Sequence, residues 1–249
     1  MEVMSNERKS SLPRRRLDVE LVRRRLVNSR SQAESYIKLG RVKVNKIARK
    51  KASWQTKSAD KVEVSGEQYV SRAALKLASV ADKLKLDFKG KVVLDVGSST
   101  GGFTDYALSH GARKVIAVDV GTDQLHPKLR TDIRVELHEK TDIRDFKTNQ
   151  QIDLVLADVS FVSLRQILPV ISKLVSASCQ IVAMVKPQFE AGDKFKHKGI
   201  IKNDKMRRTI LQEFEIWAKE RFIIVDKADA EVTGAKGNRE RFYLLGLKH

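Results

Sequence analysis

Cysteine is nearly absent from this 249-residue sequence, in which Cys179 is the only one. A single cysteine excludes a disulfide within the chain and favours a reducing compartment, so we expect a cytoplasmic protein. Long apolar runs are absent too: no stretch of about 18 consecutive apolar residues occurs, and the first residues are polar and basic. The sequence therefore predicts neither a membrane span nor a secretion signal.

Acidic residues are scarce relative to basic ones. The chain has 49 Lys and Arg against 31 Asp and Glu, which gives a formal net charge of +18. Residues 1–66 hold 18 of these basic residues and only 7 of the acidic ones, a net of +11. Such a concentration of positive charge favours a polyanionic partner, either nucleic acid or an anionic membrane.

The N-terminal part of the chain is expected to form a small basic module behind a flexible arm. Residues 1–14 are polar and without periodicity, which indicates a disordered segment. Apolar residues recur at helical spacing from Leu17, and Ser29 or Ser31 is placed to cap a second short helix that Gly40 ends. Two basic helices are therefore predicted.

Alternating segments at 41–45 and 61–64 are predicted to add half-buried strands to this module. The stretch SRSQAESYIKLGRVKVN, residues 29–45, resembles the α-L RNA-binding motif, the S4-type module of ribosomal proteins and pseudouridine synthases. Arginines that merely solvate the helices are the alternative, but their density favours contact with RNA phosphates. The residues expected to bind RNA here are Arg14, Arg15, Arg16, Arg23, Arg24, Arg30, Lys38, Arg41 and Lys43.

Strands alternate with helices in the rest of the chain. We predict an RNA-binding domain over residues 15–64, a linker over 65–69 and a second domain over 70–249. This order of elements predicts an α/β fold, with a mostly parallel sheet covered on both faces. Strands are predicted at 91–96, 114–119, 133–138, 152–158, 180–186, 221–226 and 241–247, and helices at 69–84, 164–175 and 205–219.

A glycine-containing turn, DVGSSTGGFT at residues 95–104, joins the first of these strands to a helix. Its spacing, Asp-x-Gly-x-x-x-Gly-Gly, differs from the Gly-x-Gly-x-x-Gly of NAD-binding loops and favours S-adenosylmethionine. Asp119 ends the next strand, where a carboxylate can accept both ribose hydroxyls. Asp142 either binds the adenine amino group or forms a simple turn, and Asp95 either touches the amino acid part of the ligand or stiffens the loop. The residues expected to bind cofactor are Asp95, Gly97, Ser98, Ser99, Thr100, Gly101, Gly102, Phe103, Asp119, Asp142 and Asp158.

Five motifs lie along the second domain. They are YVSRAALKL (69–77), LDVGSSTGGFTD (94–105), ADVSFVSL (157–164), VKPQFE (185–190) and GAKGNRE (234–240). With the N-terminal module, they make nearly the whole chain similar to the TlyA family of ribosomal RNA ribose methyltransferases, which are also called haemolysins. The resemblance implies a Rossmann-like class I methyltransferase domain of the FtsJ type, with a seven-stranded mostly parallel sheet, behind an S4-type domain. It also implies S-adenosylmethionine as cofactor and ribosomal RNA as partner.

The same resemblance implies a catalytic Lys-Asp-Lys-Glu tetrad at Lys76, Asp158, Lys186 and Glu240. No metal ligands are predicted. A ribose 2′-hydroxyl is a poor nucleophile, and a neutral Lys186 could accept its proton while the two carboxylates orient the amines. Basic residues in two loops near the tetrad could clamp the RNA backbone. These loop residues are Lys194, Lys196, His197, Lys198 and Lys236.

Other methyl acceptors fit the sequence less well. An amino-directed enzyme would carry Asn/Asp-Pro-Pro-Tyr/Phe after the fourth strand, where this chain has Asp-Val-Ser-Phe. A carbon-directed enzyme would need a nucleophilic cysteine, and Cys179 begins an apolar strand. The expected function is therefore 2′-O-methylation of ribosomal RNA, and the resemblance implies a cytidine of the large subunit alone or of both subunits. A membrane-permeabilising haemolysin and a non-catalytic assembly factor are the alternatives.

Overall fold

The computed structural model describes residues 14–191, 201, 203–234 and 237–248. It divides into two compact units, Met1–Gln68 and Tyr69–His249. The expected disordered arm lies outside the described residues except for Arg14, and so do the loop residues predicted to clamp RNA, including Lys196. None of the helices in the described ranges is long and apolar enough to cross a membrane.

Two short helices and two small sheets form the first unit. Apolar side chains such as Leu17, Leu21 and Tyr36 are completely buried where the helices pack together. Ser29 caps the second helix by accepting the N–H of Gln32, as one of the two predicted alternatives. The elements are β1 (Arg15–Arg16), α1 (Leu17–Arg23), α2 (Arg30–Lys38), β2 (Val42–Val44), β3 (Ile47–Ala48), β4 (Gln55–Thr56) and β5 (Val62–Val64).

Three of these strands were not predicted. Strand β1 pairs with β4, and β3 joins β2 and β5 in a three-stranded antiparallel sheet. Each of the three is only two residues long, so its sequence carries no alternation that could reveal it. Pairing with a distant segment creates these strands.

Helices and a single seven-stranded sheet form the second unit. The sheet order is β11-β12-β10-β9-β6-β7-β8, and only the pairings of β12 with β10 and β11 are antiparallel. The predicted α/β architecture is confirmed, with all seven predicted strands present. The elements are α3 (Arg72–Ala81), β6 (Val92–Val96), α4 (Gly102–Ser109), β7 (Lys114–Val118), α5 (Pro127–Arg130), β8 (Val135–His138), β9 (Leu154–Ala157), α6 (Leu164–Leu174), β10 (Gln180–Val185), α7 (Pro187–Glu190), α8 (Asp204–Arg221), β11 (Phe222–Asp229) and β12 (Arg241–Leu247).

Local hydrogen bonds explain where the element bounds differ from the sequence prediction. Strand β8 begins two residues late because Asp132 accepts the N–H groups of Arg134 and Val135 in a turn. Helix α3 begins at Arg72 because Ser71 caps it by accepting the N–H of Ala73. Strand β11 continues past residue 226, its predicted end, to Asp229. The register of its pairing with β12 shifts between Ile224 and Asp226, and this shift interrupts the apolar alternation of the sequence.

The sheet brings the predicted site residues to one edge. Strand β6 has β7, the next strand along the chain, on one side and β9 on the other. The order of the parallel strands therefore reverses between β6 and β9. Ligands of open α/β sheets bind at such a point, outside the carboxyl ends of the strands. The segments that follow β6, β7, β9 and β10 therefore meet around this crevice.

Candidate active site

The glycine loop between β6 and α4 lies tightly against its neighbours. Gly97 has a φ of 82°, and a Cβ atom there would lie 2.7 Å from the backbone oxygen of Asp158. A Cβ on Gly102 would lie 2.7 Å from the Cβ of Ala73 and 2.9 Å from the backbone nitrogen of Ala74, both on α3. Only glycine fits at these two positions, so the loop backbone itself forms a wall of the crevice.

Asp95 is completely buried beneath this loop. Its Oδ2 atom accepts a hydrogen bond of 2.6 Å from Thr104, whereas Oδ1 is buried with no hydrogen-bond partner among the described residues. Burial raises the pKa of Asp95 to about 7, and the nearby carboxylates of Asp158 and Asp119 add to the effect. Ser98 Oγ is likewise buried and without a described partner. Both residues line a cavity of about 140 Å³, where a ligand could satisfy them.

A larger cavity of about 480 Å³ opens beside the loop. Asp119 contributes a carboxylate that is oriented by the N–H groups of Ser99, at 2.8 Å, and Gly121, at 2.7 Å. Asp142 lies in the same cavity, and its Oδ2 is 2.5 Å from Nη2 of Arg144, which lowers the pKa of Asp142. The structure therefore brings the loop and both predicted acids together around a space large enough for a nucleoside.

The four residues of the predicted tetrad form two ion pairs. Lys76 Nζ donates a hydrogen bond of 3.0 Å to Glu240 Oε1, and Lys186 Nζ lies 2.5 Å from Asp158 Oδ1. The two lysines and Glu240 are 9 % exposed or less. A third cavity of about 290 Å³ is lined by Lys76, Lys186 and Glu240, and Lys186 and Asp158 also line the cavity next to the glycine loop. Two amines and two carboxylates thus face adjoining spaces.

Glu240 is held in place by groups behind it. Gly234 leaves room for its carboxylate, because a Cβ there would lie 2.5 Å from Oε1. Arg207 donates a hydrogen bond of 3.0 Å to the backbone oxygen of Arg239, and its Nη2 atom lies 2.6 Å from Asp229. Burial opposes ionisation of Asp229, but the guanidinium groups of Arg207 and Arg241 outweigh it and lower the pKa of Asp229 to about 2.

Sequence reasoning missed two residues beside the tetrad. Ser160 Oγ accepts a hydrogen bond of 2.7 Å from Lys186 Nζ. Phe161 is 92 % exposed, has a φ of 66°, and its ring centroid lies 5.3 Å from that of Phe189. A bulky residue in this backbone conformation is rare and concentrates at functional sites. Their place just after Asp158 was the available signal. Phe103, which was expected to bind cofactor, is 2 % exposed and lines the cavity next to the glycine loop.

The arginines of the first unit are organised by two buried acids on α1. Asp18 binds Arg16 and Arg30, with contacts of 2.7 to 3.0 Å. Burial opposes ionisation of Asp18, but these guanidinium groups outweigh it and lower its pKa. The side chains of Arg16 and Arg30 are 42 % and 56 % exposed, so their outer edges remain open to solvent. Each therefore keeps N–H donors for a phosphate.

Glu20 binds Arg23 and Arg24 in the same way. Hydrogen bonds from Arg23 lower its pKa to about 2, and Arg24 donates to it at 2.7 Å. Arg24 also donates to the backbone oxygen of Asp60 at 2.7 Å and is only 21 % exposed. Its donors are used inside the unit, so of the four arginines bound to Asp18 and Glu20 it is the least available to RNA. Within the described residues, no ion pair engages Arg14, Arg15, Lys38, Arg41 or Lys43.

Both units match known protein families. The FtsJ-like methyltransferase family matches residues 69–248, and the S4 domain matches residues 15–62. The chain is 41 % identical over 186 residues to the 23S rRNA (cytidine-2′-O)-methyltransferase TlyA of Campylobacter jejuni, which covers 74 % of this chain and 73 % of the relative. It is 41 % identical over 185 residues to the 16S/23S rRNA (cytidine-2′-O)-methyltransferase TlyA of Mycobacterium tuberculosis, with coverages of 72 % and 69 %.

A solved structure shows the same arrangement of elements. It is a protein of Streptococcus thermophilus described as a candidate hemolysin, with a TM-score of 0.69, 33 % identity, and coverage of 95 % of this chain and 90 % of that one. The expected combination of an S4-type domain with an FtsJ-like domain is therefore confirmed. The roles of individual site residues stay predictions.

Proposed function

This chain belongs to the TlyA family of FtsJ-like methyltransferases, and we propose that it methylates the 2′-hydroxyl of a cytidine in ribosomal RNA. The observation that carries the proposal is the double ion pair of Lys76 with Glu240 and of Lys186 with Asp158, beside the glycine loop. The names of the relatives supply the cytidine and the ribosomal RNA. Ribosomal RNA as substrate also favours action in the cytoplasm.

The crevice around the glycine loop fits S-adenosylmethionine. Asp95 Oδ1 and Ser98 Oγ have no hydrogen-bond partner among the described residues and suit the amino acid part of the cofactor. Asp119 presents its carboxylate where ribose hydroxyls would lie, and Asp142 lies farther along the same cavity. When bound, the cofactor would supply an electrophilic methyl group to the 2′ oxygen, and its sulfur would keep the electron pair of the broken bond.

Lys186 is the group placed to remove the proton. Its neutral amine accepts the proton of the 2′-hydroxyl as the hydroxyl oxygen attacks, and the resulting ammonium is stabilised by Asp158. Lys76 pairs with Glu240 and lines the same cavity as Lys186. The protein residues therefore orient the hydroxyl and hold its proton, and alignment of the reacting groups supplies much of the rate.

Phe161 and Phe189 offer a platform for the target base. Both line the cavity that contains Lys76 and Lys186, and the ring of Phe161 is almost fully exposed. Enzymes that act within RNA bind unstacked nucleotides, whose bases stack on aromatic side chains. We assign the target nucleotide to this cavity.

The first unit would hold the surrounding RNA. We assign residues 15–64 to RNA binding, 65–69 to a linker and 70–249 to methyl transfer. Arg16, Arg23 and Arg30 are half-exposed on Asp18 and Glu20 and keep N–H groups open to solvent, which suit phosphate oxygens. Binding through phosphates places the substrate without reading its sequence.

The test is methyl transfer to ribosomal subunits. Purified protein, Lys186→Ala and the control Lys173→Ala, an exposed lysine on α6, are incubated with both subunits and methyl-labelled S-adenosylmethionine. Label in 2′-O-methylcytidine that is lost only in Lys186→Ala supports the proposal. RNA binding without label supports a non-catalytic assembly factor instead, and lysis of red cells without label supports a haemolysin.

A further inference from the structure

Resting on the proposed function, we infer that Ser160 is a positioning residue for methyl transfer, which fixes the direction in which Lys186 accepts the substrate proton. Ser160 lies three residues beyond the end of β9, between Asp158 and Phe161. Its hydroxyl accepts a hydrogen bond of 2.7 Å from Lys186 Nζ. The tetrad would therefore act with a fifth residue.

The Ser160 hydroxyl matters because of the bonding geometry of the Lys186 amine. A neutral primary amine has two N–H groups and one lone pair in a tetrahedral arrangement. One N–H of Lys186 is directed to Ser160 Oγ, and the Asp158 carboxylate lies beside the amine, with Oδ1 2.5 Å from Nζ but outside hydrogen-bond geometry. The hydrogen bond to Ser160 fixes the rotation of the amine and leaves its lone pair for the 2′-hydroxyl, whose proton passes to Nζ while its oxygen keeps the electron pair for the new bond. Without the hydroxyl, the amine could turn about the end of its side chain.

The place of Ser160 in the crevice supports the same role. Ser160 lines all three cavities around the glycine loop and the tetrad, and among the described residues no other side chain is common to the three. It therefore lies where the spaces for cofactor and substrate meet. A residue with a purely local packing role would not need this position.

The segment that carries Ser160 is anchored to the segment that carries Lys186. Glu190, on α7, accepts hydrogen bonds of 2.5 Å from Ser163 Oγ and 2.7 Å from the backbone N–H of Leu164. These contacts join the chain after β9 to the chain after β10, each near its strand end. The distance between the hydroxyl and the amine is thus set by contacts outside the reacting groups.

Ser160 is exposed to solvent, so its replacement leaves the core intact. We would measure kcat and KM for methylation of the RNA substrate with wild type, Ser160→Ala and Ser160→Thr. Ser178→Ala serves as the control, because Ser178 is an exposed serine whose described hydrogen bond is to Ser176. Calorimetry with S-adenosylmethionine and filter binding with RNA show whether either ligand is still bound.

Loss of a hydrogen bond between neutral groups corresponds to roughly a three- to tenfold effect, so Ser160→Ala should lower kcat by this factor. Both binding affinities and both KM values should stay near wild type, Ser160→Thr should recover most of kcat, and Ser178→Ala should behave as wild type. An unchanged kcat in Ser160→Ala, a defect confined to KM, or a threonine variant as slow as the alanine variant would each overturn the role of the hydroxyl. A wild type that methylates no RNA would overturn the proposed function itself.

Discussion

Lys76 and Glu240 form a hydrogen-bonded ion pair of 3.0 Å across 164 positions of the sequence. Both side chains are buried, at 6 % and 2 % exposure, and Glu240 Oε2 has no hydrogen-bond partner among the described residues. Burying a charge requires a partner, so the pair links the helix before the sheet to the last strand of the sheet. The unpartnered oxygen belongs to a side chain that lines a cavity, where a substrate group could bind it.

The first prediction concerns this pair. Lys76→Ala leaves the Glu240 carboxylate buried without its cation, and removing one partner of such a pair costs about 3–5 kcal/mol of stability. Lys76→Met combined with Glu240→Gln removes both charges and should cost less than Lys76→Ala alone. Urea unfolding measures the free energies. Equal stability of Lys76→Ala and wild type would show that the pair contributes nothing to the fold, and all of these variants should lose methyl transfer.

A second prediction concerns pH and Asp95. Its raised pKa of about 7 means that the buried carboxyl is neutral below this pH and charged above it. The cationic amino group of S-adenosylmethionine would favour the charged form, so cofactor affinity should fall roughly tenfold from about pH 8 to about pH 6. Calorimetry near pH 6 in buffers of different ionisation enthalpy should detect proton release on binding.

The matched variant for this experiment is Asp95→Asn, which keeps the shape of the side chain and cannot ionise. Its cofactor affinity should be low and nearly independent of pH. The contribution of Asp95 to the free energy of unfolding of the protein without ligand should show the opposite trend and decrease as pH rises. Because the pKa of Asp95 is higher in the folded state than in the unfolded chain, its ionisation destabilises the fold as pH rises from about 4 to about 7. The difference in free energy of unfolding between wild type and Asp95→Asn, measured across this range, isolates the contribution of Asp95, and a difference that does not change with pH would contradict the assignment.

A third prediction separates charge from geometry in RNA binding. Asp18→Asn adds one unit of positive charge but releases Arg16 and Arg30, so RNA affinity should fall, by roughly tenfold if two phosphate contacts weaken. Glu34→Gln adds the same charge and removes only a 3.9 Å contact with Arg30. RNA affinity of that variant should stay equal or rise. Filter binding over a salt series measures both, and tighter binding by Asp18→Asn would contradict the organising role of the buried acid.

A fourth prediction uses two glycines with the same backbone conformation. Gly97 and Gly90 both have positive φ, 82° and 72°, but only at Gly97 would a Cβ meet a neighbour, the backbone oxygen of Asp158. Alanine at either position brings backbone strain of about 1 kcal/mol. Gly97→Ala should in addition weaken cofactor binding by at least about tenfold, because the glycine loop must move away from the end of β9 to make room for the added Cβ atom. Thermal unfolding and calorimetry of both variants check this, and equal cofactor affinities would contradict it.

The crevice could be predicted because its residues lie at strand ends. Asp95, Asp119 and Asp158 each end or follow an apolar run, and the carboxyl ends of parallel strands lie on one edge of a sheet. The pattern of the sequence is therefore enough to place these residues together. The tetrad required the family resemblance, because Lys76 and Glu240 stand on elements whose position relative to the sheet no periodicity reveals.

The remaining features arise from contacts between distant segments. Nothing in the sequence indicates which lysine pairs with which carboxylate, or that Asp18 and Glu20 each bind two arginines. The exposure of Phe161 is also unexpected, since a large aromatic side chain usually packs inward. The positive φ of Phe161 turns its side chain outward. The folded loop imposes this backbone conformation, which phenylalanine itself does not favour.

The segment with Ser160 is a wall shared by neighbouring spaces, so binding in one space is coupled to binding in the other wherever a ligand displaces this segment. A cofactor that shifts this wall also reshapes the chamber that receives the nucleotide. By linkage, a nucleotide that selects one position of the wall must change the affinity for cofactor by the same factor. A protein built this way can discriminate against an RNA that fits poorly before any bond is broken.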